Sequence, residues 1–256
     1  MEAVLRDRHG RVEVITINRP DARNAVNGEV SRGISSALDQ VENDDGVGAV
    51  ILTGSGDRAF SAGMDLKAFV SGEADQIMGQ AGGFAGITQR FFSKPIIAAV
   101  NGPALAGGFE IMLACDLVVA ADHAKFGVPE VKRGLLAGAG ALVRLPKRVP
   151  LALALELALT GEPIDAHRAL ELGLINRVVP LDRLLDEALA LAETIAANAP
   201  LAIRYSKQLI CQAADTNEAE GWKLNDEAVG IVFSSEDAQE GPMAFAEKRP
   251  PKWKGK

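Results

Sequence analysis

Short apolar runs recur along the first half of this chain and alternate with segments of helical spacing. Residues 49–53 (AVILT), 96–100 (IIAAV) and 117–121 (LVVAA) are nearly free of polar side chains, which is typical of strands that are buried on both faces. Residues 12–18 (VEVITIN) alternate like a strand, and apolar residues at helical spacing follow over 28–41. The alternation predicts an α/β fold in which helices cover a buried sheet.

The second half of the chain has a different pattern. From Leu151 the composition turns helical, and amphipathic helices are predicted over 182–198, 200–214 and 218–233 without further strands. Apolar residues in this tail, such as Trp222, cannot all be buried by the tail itself. We therefore expect a strand-bearing core followed by a helical region that packs on the core or on another subunit.

Glu110 is the only charged residue between Lys94 and Asp116, in a run that reads PIIAAVNGPALAGGFEIMLAC. A carboxylate in so apolar a segment is costly unless it is paired, protonated or used in chemistry. Gly107 and Gly108 stand within one turn of it, at a predicted helix start. This arrangement brings free backbone N–H groups and a titratable side chain to one small region.

Several kinds of chemistry lack their sequence signatures. The chain has no glycine fingerprint for dinucleotides, no phosphate-binding Gly-Lys-Ser/Thr loop, no Gly-x-Ser-x-Gly and no His-Glu-x-x-His. The chain has only three histidines, His9, His123 and His167. So few histidines disfavour a histidine-based metal site or a nucleophile activated by histidine. Carboxylate chemistry remains.

The composition narrows the partners and the compartment. With 34 acidic and 27 basic residues the net charge is −7, which disfavours broad adhesion to nucleic acid or anionic membranes. Cys115 and Cys211 lie in apolar surroundings, so two buried reduced thiols are expected rather than a disulfide or a metal site. The start MEAVLRDRHG lacks the apolar core of a signal peptide, and no apolar run reaches the ~18–20 residues that span a bilayer. A soluble cytoplasmic protein is expected.

Three further segments have both a functional and an ordinary interpretation. Glu130 follows Pro129 and is either a second functional carboxylate or a loop acid paired with a neighbouring base. Residues 59–67 (AFSAGMDLK) lead from a strand into a predicted helix start and suit either a backbone-lined site or an ordinary connection. The glycine-rich residues 72–86 predict a mobile loop and partial helix near a site, or an ordinary surface loop.

Together these elements resemble the crotonase, or enoyl-CoA hydratase/isomerase, family over nearly the whole chain. The GMDLKA and AFAEKRPPKWKG stretches are especially similar to the carnitinyl-CoA dehydratase (crotonobetainyl-CoA hydratase) branch. The resemblance rests on an ordered series of motifs rather than on any one of them. In chain order these are NRPDARNAVN at 18–27, AFSAGMDLKA at 59–68, KPIIAAVNGPALAGGFEIMLACDLVVAAD at 94–122, FGVPEVKRGL at 126–135, LTGEPIDAHRALELGLINRVVP at 159–180, SSEDAQEG at 234–241 and AFAEKR at 244–249.

The resemblance implies an architecture and an assembly. The expected fold is a spiral of ββα units, which would form a core over residues 1–195 that holds an acyl-CoA site. A C-terminal helical region over residues 196–256 would build homo-trimers, often paired as hexamers. No nucleic acid or membrane partner is expected.

The resemblance also implies a reaction, the reversible addition of water across the 2,3-double bond of an acyl-CoA thioester. The motif positions of the two backbone N–H groups that hold the thioester oxygen fall on Met64 and Gly107. Those of the two catalytic glutamates fall on Glu110 and Glu130. Glu110 is expected to act mainly on the water and Glu130 to give a proton to C2, without a metal or any cofactor, since CoA is part of the substrate.

The CoA moiety is anionic and must be met by local groups. The resemblance assigns its binding to side chains and backbone in two segments, with a contribution from the C-terminal segment of a neighbouring subunit. The corresponding positions are Arg23, Ala62, Asp65, Leu66 and Lys67, together with Lys248 or Arg249.

Two departures from the family pattern leave the acyl group open. Residues 137–141 read Ala-Gly-Ala-Gly-Ala where hydratases often have a Pro-Gly-x-Gly-Gly turn, and Met64 stands where a small residue is common. The alternatives to an enoyl-CoA hydratase are a carnitinyl-CoA dehydratase, a double-bond isomerase that needs one glutamate, and a non-catalytic acyl-CoA-binding protein.

Overall fold

The computed structural model describes residues 2–78 and 81–256 as a mixed α/β protein with two sheets. The larger sheet has six strands in the order β1-β2-β3-β4-β6-β9, and the smaller has three in the order β5-β7-β8. The strands are β1 Val4–His9, β2 Val12–Ile17, β3 Ala49–Gly54, β4 Ile96–Val100, β5 Ala104–Leu105, β6 Leu117–Ala121, β7 Lys125–Gly127, β8 Ile164–Asp165 and β9 Arg177–Val179.

The strand predictions are confirmed where the apolar runs are longest, in β2, β3, β4 and β6. These strands pair in parallel, and side chains from both faces of them are buried. The absence of strands after Leu151 is a wrong prediction, because β8 and β9 lie there. Both are too short to show a periodicity.

Helices cover both faces of the larger sheet. They are α1 Gly28–Glu42, α2 Leu66–Ala68, α3 Ala74–Met78, α4 Gly107–Ala114, α5 Ala141–Arg148, α6 Leu151–Thr160, α7 Ala166–Glu171, α8 Leu184–Ala196, α9 Pro200–Ala213, α10 Glu218–Phe233 and α11 Glu236–Ala246. The helix α1 begins where the Asn27 side chain accepts the Val30 N–H, at 3.0 Å. The helix α8 buries every fourth residue from Leu184 against the opposite face.

Successive segments repeat one unit, as the predicted spiral requires. A strand of the larger sheet leads into the smaller sheet and then into a helix or helical turn. This happens in β4-β5-α4 and again from β6 through β7 into the 3-10 turn Pro129–Arg133. One turn earlier, β3 leads to Ser61, which makes a single parallel bridge to Ala104 of β5, and then to α2. Each unit therefore brings a strand-to-helix junction to the same side of the molecule.

The tail is helical, as predicted. The helices α9 and α10 pack on each other and contain no buried residue. Phe233 at the end of α10 is 75% exposed, and Trp222 is also exposed. The boundary predicted between residues 195 and 196 falls at the last turn of α8.

Two smaller expectations have different outcomes. Cys115 is buried, and burial raises the pKa of its thiol to about 12, but Cys211 is exposed, so the prediction of two buried thiols is wrong for Cys211. Nowhere in residues 2–78 and 81–256 is there a helix long and apolar enough to cross a membrane.

Candidate active site

Three consecutive strand-to-helix junctions hold the residues that the sequence singled out. Met64 lies between Ser61 and α2, Gly107 is the first residue of α4, and Glu130 lies in the 3-10 turn after β7. Because the units stack, residues far apart in sequence are adjacent here. The helix start that was predicted from the sequence at Gly107 is confirmed.

The first two junctions approach each other closely at their glycines. Gly63 has φ +87°, and a Cβ on it would lie 2.7 Å from the Gly107 nitrogen. A side chain at Gly63 would therefore be strained and would collide with the second junction. A Cβ on Gly107 would in turn lie 2.6 Å from the Phe84 ring, so part of the segment over 72–86 lies beside this site. Gly79 and Gln80 of that segment are outside the described residues.

Two backbone donors remain free at this meeting point. Neither the Met64 N–H nor the Gly107 N–H donates to an acceptor within residues 2–78 and 81–256. Their neighbours are held, since Asp65 N–H donates to Val26 O at 2.9 Å and Ala106 N–H donates to Gly127 O at 3.0 Å. Ala106 also has φ +52°, a strained value for a residue with a Cβ that costs about 1–3 kcal/mol. Fixed free donors at a strained turn suit the binding of an oxyanion.

Ser61 ties the two junctions together. Its buried hydroxyl donates to Asn24 O at 2.9 Å and accepts the Gly63 N–H at 3.1 Å. Its backbone carbonyl accepts the Leu105 N–H at 3.1 Å. The sequence prediction did not include Ser61, because its role depends on which segments the spiral stacks together.

Glu110 projects from the first turn of α4 and is only 3% exposed. Its Oε1 accepts the Ala139 N–H at 2.7 Å and the Ala141 N–H at 3.1 Å. Burial raises the pKa of this carboxyl, while these N–H groups, that of Gly140 and the charge of Arg144 offset part of the rise. The Ala-Gly-Ala-Gly-Ala segment that departs from the family pattern is thus the support of Glu110.

Glu130 is held differently. It is half-buried, and its Oε2 is buried without a hydrogen-bond partner among the described residues. Burial raises the pKa of Glu130, and the negative charge of Glu110 raises it further, while the residue's own backbone N–H and the charge of Arg133 offset part of the rise. The alternative interpretation is a loop acid paired with Lys132 or Arg133. Lys132 pairs with Glu162 at 2.5 Å instead, and no ion pair joins Glu130 to Arg133 among the described residues, although the Arg133 charge lowers the pKa of Glu130 in part. The effect of Glu110 on Glu130 also shows that the two carboxyl groups lie within electrostatic reach of each other.

Glu130 lines an aliphatic groove that has a volume of about 400 Å³. Its walls come from the Glu130 turn, from residues 136 and 137, and from α5 and α6. Apart from Glu130, every residue that lines it within the described chain is Val, Leu, Ala or Pro. The sequence prediction missed this groove, although leucines at 151, 155 and 159 of α6 recur every four residues and place one apolar stripe on that helix.

The residues assigned to CoA binding lie together along the first junction. Ala62 N–H donates to Arg23 O at 3.0 Å, which joins the two predicted segments. Arg23, Leu66 and Lys67 are exposed, and neither cationic side chain forms an ion pair within the described residues. Two cations and several backbone groups therefore lie beside the free Met64 N–H.

The Asp65 side chain is already engaged. It accepts from Arg19 at 2.9 Å and from the N–H groups of Lys67 and Ala68, so it caps α2. Burial opposes ionisation, but the Arg19 hydrogen bond and the capping contacts hold the pKa of Asp65 below its usual value. The backbone of Asp65 is engaged too, since its N–H donates to Val26 O and its carbonyl accepts the Phe69 N–H, both at 2.9 Å, so a ligand at this position can only share its carbonyl.

The two C-terminal cations also differ. Arg249 pairs with Glu240 at 2.6 and 2.9 Å and also with Glu247. Lys248 has no ion pair within residues 2–78 and 81–256. Lys248 is therefore the better candidate for a contact with a ligand on a neighbouring subunit.

Comparison with known proteins agrees with this geometry. The family model described as enoyl-CoA hydratase/isomerase matches residues 7–256. The carnitinyl-CoA dehydratase of Proteus mirabilis (strain HI4320) is 43% identical over 252 residues, which are 96% of each chain. That of Salmonella arizonae is 42% identical over 259 residues, 99% of each chain.

Solved structures resemble the whole chain. An enoyl-CoA hydratase from Mycobacterium tuberculosis H37Rv is 50% identical with a TM-score of 0.96, and the match covers 100% of both chains. A carnitinyl-CoA hydratase from Mycobacterium avium is 49% identical with a TM-score of 0.80, again over 100% of both chains. The fold predicted from the sequence is confirmed.

Proposed function

The chain belongs to the enoyl-CoA hydratase/isomerase family, a lyase family of the crotonase superfamily, and from this premise we propose that it hydrates 2-enoyl-CoA thioesters reversibly. The observation that carries the proposal is the placement of two carboxyl groups of raised pKa, Glu110 and Glu130, at junctions adjoining two free backbone N–H groups. A hydratase needs both a proton acceptor and a proton donor, together with a site for a negative oxygen.

The thioester oxygen binds to the N–H groups of Met64 and Gly107. Attack of water on C3 moves an electron pair through C2 onto this oxygen and gives an enolate. Donors that are fixed before the reaction stabilise the enolate without reorganising, and each is worth roughly 10²–10³ in rate. Ser61 keeps both junctions in place.

Glu110 accepts a proton from the attacking water, and Glu130 gives its proton to C2 of the enolate. The surroundings support this division. Two backbone N–H groups donate to Glu110 and favour its ionised form, whereas the buried Oε2 of Glu130 has no such donor among the described residues. After one turnover Glu110 holds the water proton and Glu130 is ionised, so a proton must pass from Glu110 to Glu130, directly or through solvent. These steps use no metal and no redox cofactor.

The CoA moiety lies along the first junction. The cations Arg23 and Lys67 face its phosphates, and backbone groups of Ala62, Asp65 and Leu66 contact the nucleotide and the pantetheine. Lys248 of a neighbouring subunit adds a further cation. The free side chains of Arg23 and Lys67 support this part of the proposal.

The chain forms a homo-trimer, which can pair into a hexamer, and it acts in the cytoplasm. Support for assembly comes from α9 and α10, since Trp222 and Phe233 of α10 remain exposed to solvent in the described part of one chain. Light scattering after gel filtration would give three or six times the 26.9 kDa of the chain. A monomer at micromolar concentration would exclude this assembly.

A carnitinyl-CoA dehydratase is the second candidate, since the curated relatives with that name are 42–43% identical. It would use the same groups on a substrate with a trimethylammonium end. An isomerase, which needs one glutamate, or a non-catalytic acyl-CoA-binding protein is disfavoured because both Glu110 and Glu130 are present at the site.

The test is an assay of the purified protein with crotonyl-CoA, longer 2-enoyl-CoAs and crotonobetainyl-CoA. We expect loss of the conjugated enoyl-thioester absorbance and formation of the 3-hydroxyacyl product, identified by mass. No turnover of any of these thioesters would refute the proposed function.

A further inference from the structure

We propose that the aliphatic groove beside Glu130 takes the unbranched hydrocarbon tail of a 2-enoyl-CoA longer than crotonyl-CoA and rejects a trimethylammonium end. This inference rests on the proposed function, since it names the acyl group for the same site. It chooses between two substrates that the catalytic residues treat alike.

The groove includes one of the two catalytic glutamates. Glu130 lines it, and so do Ala137 and Leu142, which flank in sequence the segment whose Ala139 and Ala141 N–H groups hold Glu110. A substrate whose C2 is protonated by Glu130 therefore has the next carbons of its tail beside this groove. The other lining residues, from Leu136 to Leu159, would then contact the tail.

The lining fits a hydrocarbon and not a cation. A quaternary ammonium group is recognised by aromatic faces or by carboxylates. The described residues that line the groove include no aromatic side chain, and their one carboxyl group is that of Glu130. Glu130 is neutral when it is ready to protonate C2, so it gives no counter-charge. A trimethylammonium end would thus lose its hydration without compensation.

The size of the groove indicates a tail of several methylene groups. Its volume of about 400 Å³ lies within the roughly 300–1,000 Å³ that is usual for small-molecule sites. Burial of each methylene group in such a lining is worth about fourfold in affinity. The value of kcat/KM should therefore rise with chain length until the groove is full.

A second copy of the chain is the competing occupant. The rim residues Leu151, Leu155 and Leu159 are exposed on the single chain, so a neighbouring subunit that covers the rim would leave a tunnel. A subunit that instead fills the groove would leave no room for a tail, and kcat/KM would not depend on chain length. The same experiment separates the two cases.

The experiment measures kcat/KM of the wild-type protein for unbranched 2-enoyl-CoAs of increasing length. It also compares crotonobetainyl-CoA with 5,5-dimethylhex-2-enoyl-CoA, its neutral analogue of the same shape. We expect a rise of about fourfold per methylene beyond crotonyl-CoA, followed by a plateau, and a preference of at least about tenfold for the neutral analogue. Equal rates at all lengths, or a preference for the cation, would overturn the inference but leave the proposed function intact. Absence of all turnover would refute the proposed function itself.

Two groove variants sharpen the test. Ala158→Phe narrows the groove. It should lower the ratio of kcat/KM for a long-chain 2-enoyl-CoA to kcat/KM for crotonyl-CoA by about tenfold or more, which corresponds to losing the burial of roughly two methylene groups. Leu155→Asp places a carboxylate at a position that is 47% exposed, and it should raise the ratio of crotonobetainyl-CoA to its neutral analogue. The matched control is Leu185→Asp on α8, where Leu185 is 42% exposed and outside the groove. If both groove variants give the wild-type ratios, as the control should, the groove does not hold the acyl tail.

Discussion

The surroundings of Glu110 and Glu130 differ although both glutamates lie at helical junctions of the same spiral. Glu110 is almost fully buried, and two backbone N–H groups donate to its Oε1. Glu130 is half-buried, one of its oxygens is buried with no partner in the part of the chain that the structure describes, and the charge of Glu110 adds to the cost of ionising it. Burial thus raises the pKa of both carboxyl groups, but backbone N–H groups of a neighbouring segment offset part of the rise at Glu110, whereas the charge of Glu110 adds to it at Glu130. Different surroundings can thus let two identical side chains act as base and acid in one reaction.

The largest expected effect comes from removing either carboxyl group. Glu110→Gln and Glu130→Gln should each lower kcat for hydration by about 10²–10⁴-fold, because each loses one proton transfer. Binding of a saturated acyl-CoA, followed by calorimetry, should change little, since neither residue is assigned to CoA. Wild-type turnover in either variant would contradict its assignment.

A smaller effect should follow from disturbing only the support of Glu110. Gly140 has φ +118°, a value that a residue with a Cβ rarely adopts, so Gly140→Ala strains the turn that presents the Ala139 and Ala141 N–H groups. We expect kcat to fall roughly 10-fold, about the rate worth of one weakened charge-assisted hydrogen bond. The matched control is Gly138→Ala in the same turn, where a Cβ would have nothing closer than 4.0 Å. Equal activity of the two variants would argue against this turn as the support of Glu110.

The pH dependence should report the same asymmetry. At low pH, kcat/KM falls because Glu110 becomes protonated and cannot accept a proton. At high pH it falls because Glu130 loses the proton that it must donate. Since the pKa values of both groups are raised, the active pH range should lie above the usual pKa of a glutamate. Removal of the Glu110 charge should lower the pKa of Glu130. The alkaline limb of the residual activity of Glu110→Gln should therefore lie at lower pH than in the wild type, and an unchanged limb would show that the carboxyl groups are not coupled.

The smallest effect concerns stability. When folding raises the pKa of a carboxyl group, the neutral form costs the native state little. The ionised form destabilises the native state, so stability is lost as pH rises through the pKa of the folded protein. Glu130→Gln should therefore melt slightly above the wild type at pH 8, with the difference shrinking towards pH 5. Glu110→Gln should show less gain, because its N–H partners already stabilise the anion. Melting curves of the three proteins at both pH values would check the order.

Part of this site could be predicted from the sequence. Glu110 is an isolated charge in an apolar run, and Gly107 precedes it at a recognisable helix start. The long apolar strands and the helical tail follow from periodicity, and Glu130 from the ordered motifs.

The rest depends on contacts across the spiral. Ser61 reaches Asn24, and Ala139 and Ala141 reach Glu110, over sequence separations of 37, 29 and 31 residues. The groove joins four segments of the chain, and β8 and β9 are too short to carry a pattern. Only the stacking of the units determines these features.

The division of labour between the glutamates is tested most directly by hydrogen exchange at C2 of a saturated acyl-CoA in D₂O, followed by NMR. No water is added in this reaction, so it isolates the group that exchanges a proton with C2. Wild type and Glu110→Gln should exchange a C2 hydrogen, while Glu130→Gln should show only the background rate. Exchange that survives in Glu130→Gln and is lost in Glu110→Gln would contradict the assignment.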